Sequence, residues 1–199
     1  MFIRTENFQT FIRLFPVTTA ILALQLAIWI LFIIPLPGVQ MWSDALIGFN
    51  WGIANGEWWR LATPIFIHGG FAHLLFNSMS LFLFAPGLER MLGKLRFIII
   101  YLAAGVAGNI GTFFIEPLEY MHVGASGAIF GLFGVYLYIA LFKKELMGRE
   151  NSQIIVTILA VSVLMTFINQ NINIMAHIFG LIGGFALSPL LVKKKSGGY

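Results

Sequence analysis

The sequence predicts an all-α membrane protein, a bundle of six transmembrane helices whose N- and C-termini are both cytoplasmic. Of its 199 residues, 59% are hydrophobic and only 10% are charged, whereas an ordinary soluble domain carries about 25% charged residues. The mean hydropathy is +0.89. Of six apolar stretches, five approach the length of about 20 residues that spans the hydrocarbon core as a helix, and the second is shorter by hydropathy alone. Because lipid cannot satisfy the backbone groups of an open sheet, we expect these stretches to be helical.

The six predicted spans follow one another with a single long connection. They are Val17–Ile34, His73–Phe84 (with an apolar run that continues to about Leu88), Phe97–Ile115, Ser126–Phe142, Gln153–Ile168 and Ile174–Val192. This divides the chain into a short cytoplasmic N-terminus over 1–16, a membrane domain over 17–192 and a basic cytoplasmic tail over 193–199. The long outer loop, about 35–72, contains four of the five tryptophans. Tryptophan favours the headgroup level, so we expect short interfacial helices in this loop.

The basic residues predict the orientation of the spans. When the N-terminus is placed inside, eleven of the twelve lysines and arginines fall in inner segments, and only Arg60 falls in an outer loop. Cytoplasmic loops of membrane proteins carry this excess of positive charge. The sequence therefore predicts that both termini are cytoplasmic.

Composition also excludes several classes of site. The chain has no cysteine, so it can form no disulfide, thiol nucleophile, zinc–thiolate site or iron–sulfur cluster. Asp44 is its only aspartate, which excludes a protease built on two aspartates.

Four polar side chains lie at one depth in the predicted bundle. His73 and Asn77 are in the second span, Ser126 begins the fourth, and His177 is early in the sixth. These three spans all run from outside to inside, so the four residues lie towards the outer face. A polar or ionisable side chain within a span is unfavourable, which makes each residue a candidate functional residue.

The chemistry of these four residues is complementary. His177 can accept the proton of the Ser126 hydroxyl and so activate it as a nucleophile. His73 and Asn77 can donate hydrogen bonds to a developing oxyanion. Asp44 is far away in the first loop, so the predicted site is a serine–histidine dyad. Phe130, one turn after Ser126, is a candidate to pack against the imidazole of His177.

Small residues predict how the helices that carry the dyad pack. They recur at helical spacing in both the fourth and the sixth span, and such faces allow two helices to approach closely. If these two spans pack through those faces, Ser126 and His177 lie near the outer end of one seam. The residues concerned are Gly127, Gly131, Gly134, Ala176, Gly180 and Gly184.

Five ordered motifs resemble those of the rhomboid family of intramembrane serine proteases. Gly124-Ala125-Ser126-Gly127 resembles the G-x-S-G nucleophile motif, and Ala176-His177-Ile178-Phe179-Gly180 resembles A-H-x-x-G. The others are His68, His73 and Asn77 in H-x4-H-x3-N spacing, the pair Trp59-Arg60, and Glu89 with Gly93 in E-x3-G spacing. The resemblance extends from about Trp58 to Leu187.

This resemblance implies a role for each matched residue. Ser126 would be the nucleophile and His177 the base, while His73, Asn77 and the Ser126 backbone N–H would form an oxyanion hole shaped by Gly124. The structural supports would be Trp59, Arg60, His68, Glu89 and Phe130, the last at a position where some members have tyrosine. The resemblance implies neither a cofactor nor a metal.

The resemblance further implies substrates that are single-span membrane proteins, cut near the outer face. It implies no nucleic acid and no soluble partner. The chain would be the minimal, bacterial-type form of the family, a multi-pass protein of the cell membrane.

Three alternatives compete with a protease. The first is a catalytically inactive, rhomboid-like binder or chaperone of membrane helices, although such members usually lack the serine or the histidine. The second is a metal site formed by His68, His73, His122 and His177, for which the spacing is poor. The third is a transporter, which the absence of charged residues in mid-span and of paired broken helices disfavours.

Overall fold

The computed structural model describes residues 5–35, 37–168 and 172–192, so the predicted basic tail 193–199 lies outside the described residues. Nine α-helices occur in these ranges. They are α1 (Phe8–Leu14), α2 (Pro16–Ile33), α3 (Val39–Leu46), α4 (Asn50–Ala54), α5 (Phe71–Leu92), α6 (Lys94–Ile115), α7 (Ser126–Phe142), α8 (Arg149–Ile168) and α9 (Ile174–Leu191).

Five of the described helices, α2, α5, α6, α8 and α9, are long and apolar enough to cross a membrane. Helix α7 is also apolar but shorter, with 17 residues, and it has the bounds predicted from the sequence. Helices α6 and α8 begin three and four residues earlier than predicted, at Lys94 and Arg149. Hydropathy misses these starts because the first turn of each helix is polar.

Helix α5 continues through Pro86, as the apolar run to about Leu88 predicted, and ends at Leu92, four residues later than predicted. Proline removes one backbone donor from a helix, here the N–H that would reach the Phe82 carbonyl four residues earlier. Close to this site the Tyr136 hydroxyl donates to a different carbonyl, that of Phe84, at 2.7 Å. This hydrogen bond joins α5 to α7 beside the proline.

Helix α7 lies at the centre of the bundle, packed against α6 and α9. The α7–α9 contact is made by glycines: a Cβ on Gly180 or Gly184 would collide with the carbonyl oxygen of Gly127 or Gly131. Because residue numbers rise together along this seam, α7 and α9 are parallel. The predicted small-residue packing of these two helices is present in the structure.

The loop between α2 and α5 contains short helices, as predicted. Besides α3 and α4, it has two 3-10 turns, Trp58–Leu61 and Thr63–Phe66. It also forms a feature that the sequence did not predict, a two-stranded antiparallel pairing of β1 (Gly48–Phe49) with β2 (Met121–His122). This pairing ties the loop to the segment immediately before α7.

Candidate active site

The three helices that carry the predicted dyad and oxyanion hole begin at the same end of the bundle. His73 is the third residue of α5, Ser126 the first of α7 and His177 the fourth of α9. Helices α5 and α7 are parallel, since His73 adjoins Gly124 while the Phe84 ring contacts Phe133 further along, with centroids 5.0 Å apart. Three helix N-termini, each with a partial positive charge, are thus directed to one region.

Gly124 shapes the turn that leads into Ser126. Its φ of +124° lies in a region that residues with a side chain rarely adopt. Its N–H donates to the Pro64 carbonyl at 2.9 Å. A Cβ at this position would lie 2.6 Å from Nε2 of His73. Both the conformation and the close approach of His73 therefore require glycine here.

Backbone contacts bring the surroundings of Ser126 and His177 together. A Cβ on Gly127, the residue after Ser126, would lie 3.2 Å from the carbonyl oxygen of Ala176, the residue before His177. Ser126 is half-buried, and His177 is buried with 6% exposure. The sequence neighbours of the two side chains are thus in direct contact at the N-terminal end of the α7–α9 seam.

Two side chains hold the His177 imidazole. The Phe130 ring stacks on it, with centroids 4.0 Å apart and planes inclined by 14°. On a different element, Thr166 Oγ1 of α8 lies 2.8 Å from Nδ1 of His177. Thr166 was not among the predicted site residues. The only signal in the sequence is that Thr166 is a polar residue near the C-terminal end of the fifth span, and this signal does not point to His177.

His73 and Asn77 lie on one face of α5. Asn77 is buried, and its Nδ2 donates to the His73 carbonyl at 2.9 Å. The His73 ring meets the His68 ring edge-on, with centroids 5.1 Å apart. Burial, reinforced by nearby His73, lowers the pKa of His68 to about 4. His68 therefore remains neutral near neutral pH.

The predicted supports Trp59 and Arg60 organise the outer loop and lie away from the dyad. Arg60 is buried and donates from one guanidinium nitrogen to the carbonyls of Asp44 at 2.7 Å and Ile47 at 2.8 Å. It also pairs with Glu57. Trp59 Nε1 donates to the Ala45 carbonyl at 2.9 Å. Both residues thus connect the second half of the loop to α3 and its end.

Glu89 lies at the opposite end of α5 from His73 and caps α2. Its buried carboxylate accepts the N–H groups of Val17 at 2.9 Å and Thr18 at 2.8 Å, and the Thr18 hydroxyl at 2.7 Å. A carboxylate at a helix N-terminus satisfies free donors and complements the helix dipole. Glu89 therefore joins two spanning helices and does not contact the dyad.

His122 lies in a separate polar cluster beneath the outer loop. Its Nε2 is 3.2 Å from Oδ1 of Asn109, whose Nδ2 donates to the Leu61 carbonyl at 2.8 Å. Burial lowers the pKa of His122 to about 4. Over the described ranges, no three histidine or acidic side chains are grouped closely enough to hold a metal ion. The histidines thus divide between two clusters.

Comparison with known proteins identifies relatives along the whole chain. A family model described as "Rhomboid domain" matches residues 55–194. The chain is 65% identical to YdcA of Bacillus subtilis, provisionally named a rhomboid protease, over the full length of both proteins. It is 40% identical to the rhomboid protease GluP of Bacillus subtilis, over 92% of this chain and 36% of GluP. Rhomboid-like protease 1 of Toxoplasma gondii is 29% identical, over 90% of this chain and 66% of that protein.

Proposed function

The chain belongs to the rhomboid family, and on this premise we propose that Ser126 and His177 form its catalytic dyad. Membership of this family makes the chain a serine endopeptidase that acts within the membrane, and a multi-pass protein of a bacterial membrane. The observation that carries the proposal is the contact between Gly127 and Ala176, the immediate neighbours of the two residues.

The proposed reaction has two steps. The Ser126 hydroxyl oxygen attacks the scissile carbonyl carbon while Nε2 of His177 takes the hydroxyl proton. His177 then gives this proton to the departing amine, the C–N bond breaks, and an acyl-serine remains. Water attacks the acyl carbon, again with His177 as the base. Return of the proton to Oγ releases the acid and restores Ser126.

We propose that the oxyanion of each tetrahedral intermediate is held by the Ser126 backbone N–H, the His73 ring and the Asn77 amide. The Asn77 Nδ2 group has two hydrogens. One is donated to the His73 carbonyl, so the other remains for an oxyanion. The position of His73 against Gly124 supports its assignment, since that turn leads directly to Ser126. Hydrogen-bond donors that are already in position stabilise an oxyanion most strongly where water is excluded.

The remaining assignments concern support, topology and substrate. We propose that Trp59, Arg60, His68, Glu89 and Phe130 are structural supports, with His68 and Phe130 close to the proposed site and the other three stabilising the loop and helices further away. We propose that α7, with 17 residues, is the sixth spanning helix. With six spans over a membrane domain of 17–192, the segments 1–16 and 193–199 lie on the same side, which we propose is the cytoplasm. This topology places the dyad near the outer face, where the helix of a single-span membrane protein would enter it and be cut.

Labelling with a serine-directed fluorophosphonate tests the nucleophile. The purified protein in detergent micelles is treated with the probe, digested and mapped by mass spectrometry. We expect the label on Ser126, and we expect His177→Ala to slow labelling by about 10²-fold or more, the contribution of a general base. The matched control is Ser80→Ala, since Ser80 donates to the Phe76 carbonyl of its own helix at 2.9 Å. Labelling that bypasses Ser126 would overturn the assignment and favour a binder of membrane helices.

A further inference from the structure

Thr166 makes the contact between α8 and the proposed catalytic base. Its side chain is buried, with 2% exposure. Oγ1 lies 2.8 Å from Nδ1 of His177 and 2.9 Å from the Ser162 carbonyl, to which it donates. A threonine that donates to the carbonyl four residues earlier is common in membrane helices. The hydrogen bond to Ser162 therefore needs no special explanation, whereas the contact with the His177 imidazole on another helix does.

The Thr166 hydroxyl has a single hydrogen, so it can donate only one of its two hydrogen bonds. The arrangement that is common for a threonine in a membrane helix donates this hydrogen to the Ser162 carbonyl. In that arrangement the oxygen faces His177 with a lone pair, and Nδ1 carries the hydrogen of the 2.8 Å contact. In a neutral imidazole the other nitrogen, Nε2, is then the one with a free lone pair. That nitrogen is the one a general base needs.

We propose that Thr166 is a positioning residue that fixes the tautomer and the rotation of the His177 ring. The inference rests on the proposed function of the dyad. Phe130 alone cannot fix both properties, because a stacked ring that turns by 180° about its Cβ–Cγ bond remains stacked. The hydrogen bond from Nδ1 distinguishes the two orientations. Phe130 thus sets the plane of the ring, and Thr166 sets which nitrogen is directed away from α8.

A hydroxyl suits this position better than a carboxylate would. The ring lies among buried residues of α7, α8 and α9, where an unpaired charge is strongly unfavourable. Thr166 is one of only three buried residues on α8, together with Ile155 and Leu159. The one acidic residue of α8 is Glu150, which lies in the first turn, at the opposite end of the helix from Thr166. A neutral acceptor orients the imidazole without placing a charge there.

Kinetics of valine and serine variants separate orientation from packing. Thr166→Val keeps the shape and removes the acceptor, while Thr166→Ser keeps the acceptor and removes a methyl group. We expect Thr166→Val to lower kcat roughly three- to tenfold, the range for one neutral hydrogen bond, with KM unchanged and Thr166→Ser near wild type. The matched control is Thr157→Val, on the exposed surface of α8. A packing role would reverse the order and make the serine variant the worse of the two, which would overturn the proposal.

A spectroscopic measurement tests the same claim without activity. The Ser126→Ala protein, labelled with ¹⁵N-histidine, is observed in micelles at a pH where the rings are neutral. His177→Gln identifies the signals of His177. We expect His177 to be entirely the Nδ1–H tautomer when Thr166 is intact. In Thr166→Val we expect a mixture of the Nδ1–H and Nε2–H tautomers. An Nε2–H tautomer when Thr166 is intact would overturn the proposal. If Ser126 proved not to be the nucleophile, this spectrum would still decide whether Thr166 orients the ring.

Discussion

The imidazole of His177 lies flat against the ring of Phe130, with centroids 4.0 Å apart and planes inclined by 14°. Phe130 follows Ser126 by one helical turn on α7, so the helix that carries the proposed nucleophile also carries the surface on which the proposed base rests. Stacked aromatic pairs contribute about 0.5–1.5 kcal/mol beyond their buried area. This contact fixes the plane of the imidazole by stacking, a support that the proposed dyad would use in place of the carboxylate of a triad.

Replacement of Phe130 by leucine should lower kcat about two- to tenfold, because the imidazole loses its stacking partner. Phe130→Tyr keeps the ring and should remain near wild type. Phe133→Leu is the matched control, since Phe133 is a buried neighbour whose ring contacts that of Phe130 at 5.7 Å. Steady-state cleavage rates measure the change. An equal loss of activity in both leucine variants would show that activity depends on general packing and not on the orientation of the His177 ring.

Asn77→Ala should leave measurable activity that is reduced by at most about 10²–10³-fold. One oxyanion donor is worth about this much, and His73 and the Ser126 N–H would remain. Initial rates of cleavage at saturating substrate measure the change. The control is Asn151→Ala, since Asn151 also donates to the carbonyl four residues earlier in the chain, Met147, at 3.0 Å. A wild-type rate for Asn77→Ala would remove Asn77 from the oxyanion hole.

Gly184→Ala should destabilise the bundle. Alanine is favoured over glycine in a helix by about 1 kcal/mol, but the added Cβ would collide with the Gly131 carbonyl. Overpacking costs about 1–3 kcal/mol, and backbone atoms yield less easily than a side chain. We expect a net loss of about 1–2 kcal/mol, measured by thermal unfolding in detergent. Gly70→Ala, which meets nothing within 4 Å, is the control. An unchanged Tm for Gly184→Ala would contradict the close α7–α9 seam.

Stability should fall as pH decreases from about 6.5 to about 4. Burial lowers the pKa of both His68 and His122 to about 4, from an ordinary value of 6.5. Between these values the unfolded chain binds more protons than the folded one, so acid favours unfolding. The Tm in detergent at several pH values measures this. His122→Gln keeps a donor for Asn109 and removes one titrating group, so its Tm should fall less. A fall as large as that of the wild type would contradict the role given to His122.

Much of this fold and site could be predicted from the chain because the determining signals are local. The bounds of α7, the packing of its glycines against α9 and the stacking of Phe130 all follow from spacing along two helices. The end of α5 at Leu92, four residues beyond the predicted end at about Leu88, could not be predicted from hydropathy, because its last turn contains the charged residue Glu89, whose partners lie on α2. The β1–β2 pairing is also non-local and only two residues long.

Thr166 illustrates the same limit within the site. In the sequence it is a polar residue in an apolar span, and its hydrogen bond to Ser162 would be sufficient to explain it. Only the approach of α8 to α9 reveals the contact with His177. The role of Glu89 was likewise expected to be structural, but its partners, the first donors of α2, are more than 70 positions away along the chain.

Cleavage of a single-span membrane protein in proteoliposomes tests the central claim most directly. Wild type, Ser126→Ala and Ser80→Ala are reconstituted side by side with the substrate, and the fragments are identified by mass spectrometry. We predict that wild type and Ser80→Ala cut the substrate within or beside its transmembrane helix, and that Ser126→Ala does not. Cleavage at the same bond that persists in Ser126→Ala would contradict the assignment of Ser126 as the nucleophile.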